Sequence, residues 1–140
     1  MKIGLGSDHG GFAMKKRILE LLEAREGVEP TDFGTYGTES SDYPDFAVEV
    51  ARRVSEGVLD QGVLVCTTGV GMSMAANKFP RVRAALGFNA KMARMAREHN
   101  NANVLALGAA VTPVAEIPAI LDAWFAAEFE LGSRHDRRVQ

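Results

Sequence analysis

The sequence predicts an α/β fold: a parallel sheet of five strands with helices on both faces. Three observations predict it. Short aliphatic runs alternate along the chain with longer segments of helical period, the pattern of repeated strand–helix units. "GVLVC" (62–66) is a continuous aliphatic run, as a central parallel strand covered on both faces requires. Apolar residues make up 46% and charged residues 24% of the 140, a globular balance that suits one domain, 1–140, with a sizeable core.

The elements follow in order. "KIGLGSD" (2–8) opens with a strand. "FAMKKRILELLEA" (12–24) is a helix whose Phe12, Lys15, Ile18, Leu19 and Leu22 share one mostly apolar face. The turn-rich "GVEPTDFGTYGTESSDYP" (27–44) holds a strand near 28–33. The next helix starts at Asp42 or Pro44 and spaces Phe46, Val50 and Val54 four apart. After "GVLVC" come a helix from Gly71 to Asn77 and a strand in "VRAALGF" (82–88). Asn89 is a cap for a helix carrying Met92, Met95 and Ala96. "NVLALG" (103–108) is the fifth strand, and the last main helix starts near Pro113 with Ile117, Ile120, Leu121 and Trp124. The methionines at 72, 74, 92 and 95 read most simply as core filling. The tail "ELGSRHDRRVQ" (130–140) is polar and locally basic.

Composition excludes several classes. A net charge of -2 lacks the basic excess that nucleic-acid binding needs. No apolar stretch approaches the roughly 20 residues that span a bilayer. The N-terminus lacks the apolar segment of a secretion signal. One cysteine cannot form an internal disulfide, so a reducing compartment, the cytoplasm, is expected.

Ligands of parallel sheets sit beyond the carboxyl ends of the strands. Asp8, His9, Cys66 and the glycines after it all fall at such ends. "GLGSDHGG" is no dinucleotide loop, because His9 stands where the third glycine belongs. "GVGMSM" fails likewise at Met74. A tyrosine-phosphatase-type loop would need arginine where Met72 stands. What remains is Cys66, Thr67, Thr68 and Gly69-Val70-Gly71 leading into a helix. Glycines let amide groups approach a ligand closely, and a helix start adds free N–H donors. Such a nest can hold a phosphate or a developing oxyanion and can keep a nearby thiolate available as base or nucleophile. A cysteine that merely fills the core beside a tight turn is the competing reading. His9 and His99 are proton-transfer candidates, with a structural or exposed role as the plainer alternative. The three histidines show no metal-ligand spacing, so no metal site is expected. Arg134, Arg137 and Arg138 could clamp a phosphate or simply make a solvated tail.

"GSDHGGF", "TDFGTYGTESSDYPDFA", "VLVCTTGVGMSMAANKFPRVRAAL", "REHNNANVLALG" and "RHDRRV" occur in register. With these segments the chain resembles the type B ribose-5-phosphate isomerases, a family that includes galactose-6-phosphate isomerase subunits. The resemblance implies a Rossmann-like three-layer α/β/α fold. It implies a homodimer, in some members a tetramer, with active sites shared between subunits. It implies interconversion of an aldose phosphate and a ketose phosphate without metal or organic cofactor. Ribose 5-phosphate and ribulose 5-phosphate are the leading pair. Another tetrose, pentose or hexose phosphate, or a non-catalytic phosphosugar-binding module, are the alternatives.

The resemblance also implies roles. Cys66 is the base at C1 and C2, and the turn Thr67, Thr68, Gly69, Val70, Gly71 is the oxyanion hole, with Asn100 assisting. His99 opens the furanose ring with Thr68 nearby. Asp8 binds sugar hydroxyls, His9, Arg134 and Arg138 bind phosphate, and Tyr43 lines the pocket. One branch of the family replaces the cysteine by a glutamate further along the loop; with Cys66 present and Ser73 and Met74 in that stretch, this chain resembles the cysteine branch. One departure is Ala110, where the family commonly has arginine after the fifth strand.

Overall fold

The computed structural model describes all 140 residues. Five strands form one parallel sheet: β1 (Lys2–Ser7), β2 (Glu29–Asp32), β3 (Gln61–Cys66), β4 (Ala84–Leu86) and β5 (Val104–Gly108). Their spatial order is β2-β1-β3-β5-β4. Helices α1 (Phe12–Glu23), α2 (Tyr43–Ser55), α3 (Val70–Ala76), α4 (Ala90–Asn100), α5 (Ile117–Ala126) and the short α6 (Asp136–Val139) connect and flank it.

Alternation along the strands divides the core into two layers. Ile3, Leu5, Val63, Val65, Leu105 and Leu107 face α1, α4 and α5 in a cluster of 16 buried residues. Leu64, Cys66, Val104 and Ala106 face α2 and α3 in a cluster of 12. Both faces of β3 are therefore covered, which is why its sequence is apolar throughout. Trp124 is fully buried, and its indole N–H donates to Gln61 Oε1 at 2.8 Å, so the one polar atom of the ring is satisfied.

The glycines of "GLG" serve packing. A Cβ on Gly4 would stand 2.5 Å from Leu59 Cδ1, and one on Gly62 would stand 2.5 Å from Val50 Cγ1. Bare backbone here lets α2 and the turn after it press on β1 and β3.

Lys15 lies on the predicted face of α1 and is fully buried. Its ammonium donates to Asp32 Oδ1 at 2.6 Å and to the Thr35 carbonyl. The rings of Phe12 and Tyr36 lie 5.6 and 5.4 Å from it.

Both sheet edges are blunted. On β4, the Asn77 side chain donates to Ala84 O at 2.9 Å and accepts from Ala84 N–H at 2.7 Å. On β2, Pro30 has no N–H to offer.

Asp42 precedes α2, with Pro44 in its first turn, and Asn89 caps α4 by accepting from Met92 N–H at 2.9 Å. Other expectations need correction. The fourth strand covers only 84–86, because Gly87 and Phe88 turn toward the Asn89 cap. A turn at Val114–Glu116 intervenes after the extended Pro113, so α5 begins at Ile117. Met74 and Met92 are not core filling: they are 65% and 37% exposed, on the outer sides of short helices whose inner sides carry Met72 and Ala93. No helix is long and apolar enough to cross a membrane.

Candidate active site

The chain leaves β1 for β2 on one side and later places β3 on the other side of β1. The crevice at this switch point, beyond the carboxyl ends of β1 and β3, is where a parallel sheet leaves room for a ligand. Asp8 follows β1, and its N–H donates to Val65 O at 3.3 Å. Its carboxylate is 8% exposed and accepts from Gly11 N–H at 3.1 Å, capping the turn His9–Gly11. Gly10 packs so closely on Thr67 that a Cβ would stand 2.9 Å from Thr67 Oγ1. His9, Asp8 and Thr67 thus share one wall.

Cys66 ends β3 and is 5% exposed. The Gly69 N–H donates to its Sγ at 3.2 Å. Gly69 adopts φ 81°, which turns the chain back so that this amide faces the sulfur. Thr68 Oγ1 accepts from Val70 N–H at 3.3 Å. Two amides of the expected oxyanion nest therefore have partners inside the loop. The loop also presses on β5: a Cβ on Gly108 would stand 2.5 Å from the Thr68 carbonyl carbon. Tyr43, at the start of α2, lays its ring on Gly71, where a Cβ would stand 2.7 Å from Cζ. Ala110 is exposed beside the loop and donates its N–H to Thr67 O at 2.9 Å.

The remaining expected residues are elsewhere. His99 and Asn100 end α4, which runs back to the amino-terminal edge of the sheet. At that edge Gly62 N–H bonds Asn103 O, whereas Cys66 pairs with Gly108 at the opposite edge. Four residues of strand, about 13 Å at ~3.3 Å each, separate the two edges. His99 stacks on His135 of the tail with ring centroids 4.4 Å apart and planes at 19°. A cavity of about 300 Å³ beside them is lined by Glu98, His99, Glu128, Glu130 and His135. Arg134 and Arg138 flank His135. Its pKa is lowered by burial in the stack, then by the charges of His99, Arg134 and Arg138, against the opposing pull of Glu130. No group of three or more His, Cys, Asp or Glu side chains is arranged to hold a metal ion.

The structure therefore sorts the expected residues into two clusters. Asp8, His9, Tyr43, Cys66, Thr67, Thr68, Gly69, Val70 and Gly71 gather at the carboxyl edge. His99, Asn100, Arg134 and Arg138 lie at or near the amino edge. Two contributors went unread in the sequence. His135 sits inside the basic tail segment, where the arginines masked it. Ser41, which holds His9 from the loop before α2, lies in a turn-rich stretch with no distinguishing signal.

The parallel sheet, with a thiol and an amide loop at its switch point, is of the class of α/β proteins that bind ligands beyond the carboxyl ends of their strands. The family described as Ribose/Galactose Isomerase matches residues 3–140. The chain is 45% identical to ribose-5-phosphate isomerase B of Escherichia coli (strain K12), over 99% of this chain and 92% of that protein. Among solved structures, ribose-5-phosphate isomerase B of Clostridium thermocellum superposes with a TM-score of 0.95 at 53% identity, covering 99% of this chain and 93% of that one. The Mycoplasma genitalium ribose-5-phosphate isomerase B, solved with ribulose-5-phosphate bound, gives 0.92 at 44% identity, covering 99% and 91%. The chain belongs to the ribose/galactose isomerase family and is an isomerase.

Proposed function

We propose that this isomerase, as one domain spanning 1–140, interconverts ribose 5-phosphate and ribulose 5-phosphate through an enediolate without metal or organic cofactor. The observation that carries the reading is the nearly full-length likeness to a relative solved with ribulose-5-phosphate bound. The crevice supports it chemically. As thiolate, Cys66 takes the C2 proton of the open-chain aldose, and the electron pair passes to O1. Sγ returns the proton to C1, and the proton on O2 moves to O1, so the isomers differ by no atom or electron. The enediolate needs fixed donors. The Gly69 amide already orients Sγ, while the Val70 amide, with its long 3.3 Å bond to Thr68, is the one to be exchanged for the oxyanion. Thr67, Gly71 and Asn100 complete the hole. His99 with Thr68 opens the furanose ring, Asp8 binds hydroxyls, and Tyr43 lines the pocket. His9, Arg134 and Arg138 take the phosphate, with one arginine fewer because Ala110 stands beside the Thr67 carbonyl.

These roles require two copies of the chain. Cys66 and His99 lie on opposite edges of one sheet, so one subunit supplies the thiol cluster and its partner the His99 cluster. An apolar groove of about 520 Å³ beside Tyr43, lined also by Val48, Met74 and Phe79, supports a homodimer covering this side. A single thiol that must stay reduced suits the cytoplasm as working location.

Proton NMR of ribose 5-phosphate with the purified protein in D2O tests the reading. Ketose signals, or deuterium at C2, are expected. Absence of both, with exchange on another pentose, tetrose or hexose phosphate, would shift the substrate assignment, for which Ala110 is the structural reason. Binding without exchange on any of them would leave a phosphosugar-binding module.

A further inference from the structure

We propose that Ser41 is the positioning residue of His9, selecting the neutral tautomer with its proton on Nε2 and presenting that N–H to an anionic ligand oxygen. The inference rests on the reading of the crevice as a phosphosugar site.

Ser41 grips His9 at both ends. The His9 backbone N–H donates to Ser41 Oγ at 3.0 Å. The Ser41 backbone N–H donates to His9 Nδ1 at 3.1 Å, and Ser41 O lies 3.2 Å from the same nitrogen. An amide N–H can only donate, so its contact requires a lone pair on Nδ1. The carbonyl contact would require a proton there. The two demands are exclusive. The amide has no other partner in the fold, while the carbonyl of half-buried Ser41 can accept from water instead. A bare Nδ1 therefore satisfies the cradle, and a neutral imidazole then carries its proton on Nε2. Proton placement follows here from the hydrogen-bond partners.

Nε2 makes no bond within the chain, and the ring is exposed at the crevice mouth, next to the Gly10–Thr67 wall. The loop that delivers Ser41 is itself fixed. Thr35 N–H donates to Ser7 O at 2.7 Å, Ser7 N–H donates to Gly34 O at 2.8 Å, and Lys15 holds the Thr35 carbonyl. At its far end the next residue, Asp42, precedes α2 and Tyr43. His9 is thus built as a hydrogen-bond donor that needs no positive charge, complementing the arginines as fixed charges.

Nitrogen-15 NMR of the unmodified protein, with and without inorganic phosphate, reads the tautomer directly, with His9→Gln assigning the signal. A pyridine-like Nδ1 and a pyrrole-like Nε2 are expected; a protonated Nδ1 with a bare Nε2 would overturn the proposal. Kinetics provide the second readout. Ser41→Ala removes the Oγ bond to the His9 backbone but keeps the amide on Nδ1, so the tautomer should persist. KM for ribose 5-phosphate should rise about 3- to 10-fold with kcat little changed, and Ser41→Thr should restore KM. His9→Gln, whose amide N–H can reach the Nε2 position, should keep more affinity than His9→Asn, which reaches only the Nδ1 position. An unchanged KM in Ser41→Ala, or tighter binding in the Asn variant, would sink the idea. Loss of all turnover in the unmodified protein would instead defeat the isomerase reading, and the NMR result would still decide the role of Ser41.

Discussion

His99 and His135 stack face to face, 4.4 Å between centroids, where α4 meets the C-terminal tail. Two imidazolium rings cannot share that position without repulsion. The folded protein holds His135 below the ordinary imidazole range, first by desolvation and then by His99, Arg134 and Arg138. The unfolded tail binds more protons between the folded value and about 6.5, so tail docking is favoured at higher pH and weakens as pH falls through about 6.5. A proton NMR titration of the two rings should show His135 titrating below free imidazole and the stack separating on acidification. A midpoint above the free value would contradict the arrangement.

The two-edge arrangement predicts complementation. Cys66→Ala and His99→Ala subunits should each lose most turnover of ribose 5-phosphate alone. After co-refolding, the mixed dimer holds one intact site, Cys66 from one subunit and His99 from the other. With random pairing, about half of the dimers are mixed with one site of two intact, so about a quarter of the original activity should return. No recovery, with mixed dimers shown by mass spectrometry, would mean that each site is built within one chain.

Cys66→Ala should lower deuterium exchange at C2 by at least about 100-fold, the lower end of what a positioned base contributes. Binding of a non-isomerisable sugar-acid phosphate, read by calorimetry, should change little. Normal exchange in this variant would remove Cys66 from the mechanism.

His99→Ala should impair ribose 5-phosphate more than a tetrose 4-phosphate. The tetrose ester has its O4 blocked and cannot close a furanose ring. Equal losses in kcat/KM on both would argue against ring opening by His99.

Lys15→Met removes the only cation near Asp32 in the first layer. A loss of about 3 kcal/mol in urea unfolding is expected, the low end for a broken buried pair, because Asp32 is 22% exposed. Adding Asp32→Asn should recover part of it, since the amide keeps an oxygen for Gly34 N–H. A stability loss below about 0.5 kcal/mol would show the pair to be idle.

Much of this fold was legible because local signals agreed. The aliphatic run at 62–66, the Asn89 cap and the spacing of Ile117, Ile120, Leu121 and Trp124 each specify their element without help from afar. The thiol loop was legible for the same reason, since Cys66 through Gly71 lie in one stretch. Strand ends also grouped Asp8 and His9 with Cys66, but the placing of His99 at the opposite edge was not legible locally. Insertion of β5 between β3 and β4 is a matter of topology, and strand–helix alternation carries no information about spatial order. The exposure of Met74 was hidden too, because the seven-residue α3 offers too few turns for periodicity to tell inner from outer side. Ser41 holds His9 through two backbone groups as well as its hydroxyl, and side-chain identity reports only the hydroxyl.

The blunted sheet has a consequence for how copies of this chain can meet. With Asn77 occupying the outward groups of Ala84 and Pro30 lacking its own donor, each rim offers a foreign strand only an interrupted ladder. Growth by strand addition, the route to fibres, is disfavoured while the fold is intact. Copies must meet through side chains, whose fit is particular, so self-recognition can be finite rather than open-ended.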